Sequence, residues 1–240
     1  MKTILWTVSL LLVICGCTPK PTEVVSPDGH IRLQFALDDH NRMTYRIDVD
    51  DTAFVTPSAL GFGKGVNLSE GMKVVGTEFS AADETWTQPW GENKSIRNHY
   101  NEMAVCLSDE ADTKLTLRFR VFDDGVGFRY EYEVAGVDSI FVTDELTSFN
   151  MAQDGISWSI PANYETYELL YRTQPLSKTD NANTPMTFKV GKTYASIHEA
   201  ALTDFPEMTL QNTGGCGFKS ELAPWPDGIK AKIEGGSFNT

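Results

Sequence analysis

The chain has 240 residues and a formal net charge of −13 at pH 7. Such an acidic chain is a poor partner for nucleic acids and for anionic lipid surfaces, because like charges repel. It is compatible with neutral sugars and with divalent cations. About 220 residues follow the N-terminal leader, enough to bury the core of one large domain or two small ones.

The first residues have the features of a secretory leader. Lys2 supplies a positive charge, and the apolar run over residues 4–14 is too short to span a bilayer. The run ends in ICGC, which resembles a bacterial lipobox, in which the last cysteine is lipidated and becomes the new N-terminus. We predict a lipoprotein signal peptide over residues 1–16, lipidation of Cys17 and a polar tether over residues 17–23. This predicts an outer-membrane lipoprotein in the periplasm.

The body of the chain shows the alternation of antiparallel β structure. The clearest pair of strands covers residues 115–121 and 126–134, in which apolar and polar residues alternate around an Asp-Asp-Gly turn. Sheets with one apolar and one polar face pack on each other, so we predict an all-β fold, a large antiparallel β-sandwich over residues 24–240. Residues 81–94 and 176–185 lack this pattern and are predicted to be loops at the rim, where function is often located.

Two cysteines lie in the predicted sandwich. Cys106 lies in an apolar strand pattern, which is typical of a buried free thiol, and Cys216 lies in a glycine-rich turn. The sequence leaves open whether they form a disulfide. No Cys/His cluster has zinc-binding spacing.

An aromatic segment, WTQPWGE, offers a first candidate for binding. Trp86 and Trp90 could stack on sugar rings, with Glu92 accepting hydrogen bonds from hydroxyl groups. The alternative is that both tryptophans anchor a loop to the core. Among the acidic pairs, Asp123 and Asp124 are explained by a hairpin turn, and Asp144-Glu145 by solvation or capping.

A second candidate lies in residues 194–210. Read as a strand with period 2, this stretch places Ala195, Ile197, Glu199 and Ala201 on one face. A carboxylate on an apolar face must be paired, protonated or bound to a metal, because an isolated buried charge is costly. The alternative is that the strand ends near His198 and leaves Glu199 in solvent at a turn.

Seven motifs in order carry a family resemblance. They are WGENKSIRNHYNE, FRVFDDGVGFRYEY, DELTSF, SWSIPANYETYELLY, TPMTF, SIHEAALTDFPEMTL and LAPWPDGIK. Together they resemble the N-terminal domain of glycoside hydrolase family 97, from about Val24 to the end of the chain. The resemblance implies a β-super-sandwich that precedes a (β/α)8 barrel and a C-terminal β domain. It also implies a calcium-dependent α-glucosidase or α-galactosidase, acting on oligosaccharides in the periplasm.

The resemblance assigns one site residue to this part of the family. The glutamate of the IHEAAL motif is a calcium ligand in the family, which corresponds to Glu199 here. The catalytic carboxylates belong to the barrel, so we expect no catalytic residue in this chain and no hydrolysis by it alone. Two other hypotheses stay open: a carbohydrate-binding or scaffolding lipoprotein that uses Trp86 and Trp90, and a β-sandwich lipoprotein without a sugar role.

Overall fold

The structure, a computed structural model, describes residues 22–63, 68, 70–111, 113–133, 136–200, 202–203 and 205–240, except the side chains of residues 238 and 239. The predicted signal peptide and the lipidation site Cys17 lie outside these residues. The first strand begins at Thr22, so the last two residues of the predicted tether belong to that strand.

Strands account for nearly all the regular structure of the described residues. In chain order they are β1 (Thr22–Val25), β2 (Ile31–Leu37), β3 (Met43–Val49), β4 (Thr52–Ala59), β5 (Lys73–Thr87), β6 (Ser95–Ser108), β7 (Lys114–Phe122), β8 (Val126–Glu133), β9 (Ser139–Val142), β10 (Ser148–Met151), β11 (Ile156–Ser159), β12 (Arg172–Pro175), β13 (Ala182–Asn183), β14 (Met186–Val190), β15 (Thr193–Ile197), β16 (Met208–Gly214), β17 (Gly217–Leu222), β18 (Ala231–Glu234) and β19 (Ser237–Asn239). The helical structure within these residues is a 3-10 turn at Leu176–Lys178. None of the described helical structure is long and apolar enough to cross a membrane.

These strands form four sheets with antiparallel pairing. An eight-stranded sheet has the order β1-β2-β3-β4-β10-β17-β16-β13, and a five-stranded sheet has the order β19-β8-β7-β6-β5. A four-stranded sheet (β12-β11-β14-β15) and the pair β18-β9 complete the described architecture. Rings from the two large sheets meet in the core, as for Phe35 on β2 and Phe119 on β7, whose centroids are 6.2 Å apart. The predicted all-β sandwich is confirmed.

The predicted hairpin is also confirmed over residues 115–133, and residue 134 lies outside the described residues. β7 and β8 pair in register from Lys114 opposite Glu133 to Val121 opposite Val126. The apolar face of β7 is buried, with Leu117 and Phe119 fully excluded from solvent. Strict alternation fixes this register, because a slip of one residue would turn the apolar face towards water.

The polar face of the same sheet carries a network of ion pairs. Arg118 donates to Glu131 at 2.7 Å and to Glu102 at 2.6 Å, and Arg120 donates to Glu102 at 2.7 Å. The pairing of Arg118 with Glu131 joins neighbouring strands across the polar face. Glu102, contributed by β6, is nearly buried between the two arginines.

The prediction of a loop over residues 81–94 is wrong for its first half. β5 continues to Thr87 and pairs with β6 as far as Ser95. β7 accompanies β6 only from Tyr100 onward, so residues 83–87 and 95–99 form a two-stranded ribbon beyond the sheet. Both faces of this ribbon meet solvent, and the sequence therefore lacks the alternation that indicates a half-buried strand.

Candidate functional site

The Glu199 carboxylate is held at the junction of three segments. Thr184, just after β13, donates its hydroxyl to Glu199 Oε2 at 2.6 Å. The backbone N–H of Met208, at the start of β16, donates to Oε1 at 2.5 Å. Thr184 is buried and Glu199 is half-buried, so each carboxylate oxygen has one fixed donor while the group keeps access to solvent.

Neither sequence interpretation of Glu199 describes this arrangement fully. β15 ends at Ile197, so Glu199 is not part of a regular strand. It also does not sit in free solvent at a turn, because both of its oxygens accept hydrogen bonds from distant segments. Ala195 and Ile197 pack against the core as the alternation predicts, whereas Ala201 lies outside the described residues.

Glu145 is a second carboxyl group near Glu199, and the sequence did not indicate it as a site residue. Glu145, expected to be solvated or capping, is only 9% exposed. Burial raises its pKa to about 7, and the negative charges of Asp144 and Glu199 act in the same direction. A hydrogen bond with Thr147 and the positive charge of Lys219 oppose that rise.

The burial of Glu145 results from packing around the segment 144–147. The segment 61–63 runs beside it, with Leu146 N–H donating to Gly61 O at 2.8 Å and Gly63 N–H donating to Asp144 O at 2.9 Å. Gly61 has φ +117°, and a Cβ there would lie 2.2 Å from the carbonyl oxygen of Leu68, so only glycine fits.

A buried polar chain continues from the same segment. The Tyr130 hydroxyl accepts from Gly61 N–H at 3.0 Å and lies 2.6 Å from Thr147 Oγ1. Burial raises the pKa of Tyr130 well above its usual range, so the phenol stays neutral. Asp144, by contrast, pairs with Lys219 at 2.5 Å, which fixes the lysine beside this acidic region.

By themselves, the described residues do not form a complete metal site. Within them, no group of three or more His, Cys, Asp or Glu side chains is close enough to hold a metal ion. Calcium takes about six to eight oxygen ligands. A carboxylate has about four lone-pair positions. With two positions taken by Thr184 and Met208, Glu199 can still offer oxygen to one ion, so it fits calcium as one ligand of a larger set.

The predicted sugar-binding residues lie elsewhere in the fold. Trp86 is 51% exposed on the ribbon and Trp90 is 83% exposed at its tip, and Glu92 is exposed beside it. The alternative that both tryptophans anchor a loop to the core is therefore wrong. The ribbon extends from the five-stranded sheet, whereas Glu199 contacts the β13–β16 end of the eight-stranded sheet, so the two sets of predicted residues lie in different parts of the fold.

The two cysteines of the sandwich are free thiols. Cys106 is half-buried on β6, and Cys216 lies 3.7 Å from Asp154 Oδ1. Burial, the negative charge of Asp154 and this hydrogen bond raise the pKa of the Cys216 thiol. The question that the sequence left open is answered by two separate free thiols.

Comparisons with known proteins agree on one family. Residues 24–238 match the family described as glycosyl-hydrolase 97 N-terminal. The chain is 26% identical over 186 residues to a probable retaining alpha-galactosidase of Streptomyces bingchenggensis (strain BCW-1), covering 76% of this chain and 28% of that protein.

Solved structures resemble this chain over most of its length. A glycoside hydrolase family 97 enzyme from Pseudoalteromonas sp. strain K8, solved with panose and with acarbose, is 34% identical with a TM-score of 0.84, over 91% of this chain and 34% of that one. A beta-arabinopyranosidase has a TM-score of 0.81 at 19% identity, which shows the shared fold alone. The chain thus spans about a third of the length of these relatives.

Proposed function

The chain belongs to glycoside hydrolase family 97 as its N-terminal domain, and from this premise we propose that it serves a calcium-dependent α-glycosidase by supplying Glu199 as a calcium ligand. The proposed substrates are α-glucosides or α-galactosides. Similarity to a probable alpha-galactosidase and to an enzyme solved with panose and acarbose supports that substrate class. The catalytic acid and base would come from the barrel of the same polypeptide.

The observation that carries this proposal is the fixed position of the Glu199 carboxylate. Thr184 Oγ1 at 2.6 Å and Met208 N at 2.5 Å hold its two oxygens, and the side chain remains accessible at the surface. A carboxylate whose oxygens already accept hydrogen bonds from fixed donors is preoriented for binding an ion, because its side chain loses little conformational freedom when the ion binds. A calcium ion there would supply the positive charge that lets several carboxylates share one site.

The remaining oxygen ligands would come from outside the described residues. One carboxylate cannot replace the hydration shell of calcium, so the chain by itself should bind the ion only weakly, at about millimolar concentration or above. The domain interface then becomes part of the active site. Glu199 would join ligands from the barrel, and the sandwich would orient them.

The test compares Glu199→Gln with a matched control, Glu207→Gln. Glu207 is also half-buried and lies in the same segment, where it accepts a hydrogen bond from the Tyr167 hydroxyl at 3.2 Å. Calorimetric titration of calcium into the barrel-containing enzyme should show weaker binding for Glu199→Gln, with activity partly restored by excess calcium. Glu207→Gln should behave as the wild type. Unchanged calcium affinity in Glu199→Gln would mean that Glu199 is structural.

A further inference from the structure

The ribbon formed by residues 83–87 and 95–99 extends from the five-stranded sheet beyond its third strand, β7. An isolated two-stranded hairpin is only marginally stable in water, so this one needs bracing of its own. On one face, Arg97 donates to both oxygens of Asp83, at 2.7 and 2.8 Å. At the tip, Gln88 Nε2 donates to Asn93 O at 2.7 Å, and a Cβ on Gly91 would lie 2.4 Å from that same amide.

The opposite face of the ribbon combines an aromatic ring with polar groups. Trp86 pairs directly with Ile96, and Glu84 pairs directly with Asn98, so these four side chains share one face. Asn98 Nδ2 donates to Glu84 Oε1 at 2.9 Å. That bond leaves one N–H and the Oδ1 of Asn98, and the Oε2 of Glu84, for a ligand.

The aromatic groups of the ribbon are open to solvent. Trp86 is 51% exposed beside the half-buried Ile96, and Trp90 at the tip is 83% exposed. Positions two apart along a strand are about 6.8 Å from each other, so the Glu84–Asn98 pair lies next to the Trp86 ring. An exposed indole with a fixed carboxylate and amide beside it is suited to a ligand with both an apolar face and hydroxyl groups.

We propose that this face of the ribbon is a saccharide-binding surface, with Trp86 and Trp90 contacting pyranose rings and Glu84 and Asn98 contacting hydroxyl groups. The C–H faces of a pyranose cover an indole ring, and vicinal hydroxyls can both donate to a carboxylate and accept from an amide. The chain's net charge of −13 disfavours nucleic acids and anionic lipids as occupants. α-Linked oligosaccharides are the ligands of the solved Pseudoalteromonas relative, which supports a sugar as the occupant.

The test is isothermal titration calorimetry of panose and of maltohexaose into the purified chain. We expect saturable but weak binding, because the surface is open. Trp86→Ala should weaken it at least about tenfold, since one stacked aromatic contact contributes on that order. Trp86→Tyr should retain most of the affinity, and Glu84→Gln and Trp90→Ala should each lower it by a smaller factor.

Two control variants show whether sugar binding is specific to the ribbon. Trp225→Ala removes another exposed tryptophan, 66% exposed and outside the ribbon, and should leave binding unchanged. Glu207→Gln, also outside the ribbon, should leave it unchanged too. The titration uses no calcium, so failure of the calcium proposal would not affect this one. Absence of saturable binding by either sugar to the folded wild type would overturn the proposal. So would binding that survives Trp86→Ala, or ribbon substitutions that abolish self-association in sedimentation while leaving sugar binding intact.

Discussion

Replacing the buried Glu145 by glutamine should stabilise the protein in a pH-dependent way. The pKa of this carboxyl rises from its ordinary value of 4.5 to about 7, mainly because of burial. The folded state therefore holds the proton more tightly than the unfolded state. Glutamine has nearly the same shape and does not titrate, so it avoids the cost of placing a negative charge in this site.

The sign and size of the effect follow from proton linkage. Below about pH 4.5 both states carry the proton, and the wild type loses nothing. As the pH rises from about 4.5 to about 7, the wild type loses stability by about 1.4 kcal/mol per pH unit. The difference between Glu145→Gln and wild type should thus grow by about 3 kcal/mol across this window and stay constant above it.

Urea unfolding at a series of pH values measures this difference directly. The quantity to plot is the difference in unfolding free energy between variant and wild type, because a constant offset from altered hydrogen bonding to Thr147 does not affect its slope. Glu92→Gln, at an exposed position on the ribbon tip, is the control and should give a flat line. A flat line for Glu145→Gln as well would refute the reasoning, because it would mean that Glu145 ionises as freely when folded as when unfolded.

Three further predictions concern the donor to Glu199, the hydrolytic activity of the chain by itself and the lipidation of Cys17. Thr184→Val should lower calcium affinity of the barrel-containing enzyme by about 10- to 100-fold in calorimetry, because Glu199 loses a donor that positions it, while Thr184→Ser should restore it. The chain alone should release no nitrophenol from nitrophenyl α-glucosides or α-galactosides, because glycoside cleavage needs two placed carboxyl groups from the barrel; measurable turnover would contradict this. Cys17→Ser should move the protein from the detergent phase to the aqueous phase after expression in a Gram-negative host, and a wild type that is already aqueous would argue against lipidation.

The sequence predicted best the elements that are buried on one face only. The alternation from Leu115 to Val121 sets the register of the β7–β8 hairpin, because each second side chain must reach the core. The first strand of the ribbon falls within the predicted loop because Asp83 to Thr87 have solvent on both sides, and a strand without a buried face leaves no periodic signal.

Parts of the candidate site depend on contacts that no local pattern carries. Glu145 lies in the polar run DELTSF, and its burial depends on segments distant in the chain, such as residues 61–63, which run beside it. Glu199 was singled out by its apolar neighbours and by the family resemblance. Its two donors, Thr184 and Met208, lie 15 and 9 residues away along the chain. Sequence pattern could single out Glu199, but only the fold identifies the groups that hold its carboxylate.

The position of β1 limits how far the sandwich could lie from a bilayer to which it is anchored. β1 is an edge strand of the eight-stranded sheet and begins at Thr22, five residues after Cys17. Fully extended, five residues reach at most about 17 Å. With an acyl group on Cys17, these residues would thus form a short tether that keeps the β1 edge next to the lipid headgroups. Asn101 Nδ2 already donates to Val25 O on that side at 2.8 Å. The membrane would then shield the remaining outward-facing backbone groups of β1 from pairing with strands of other molecules.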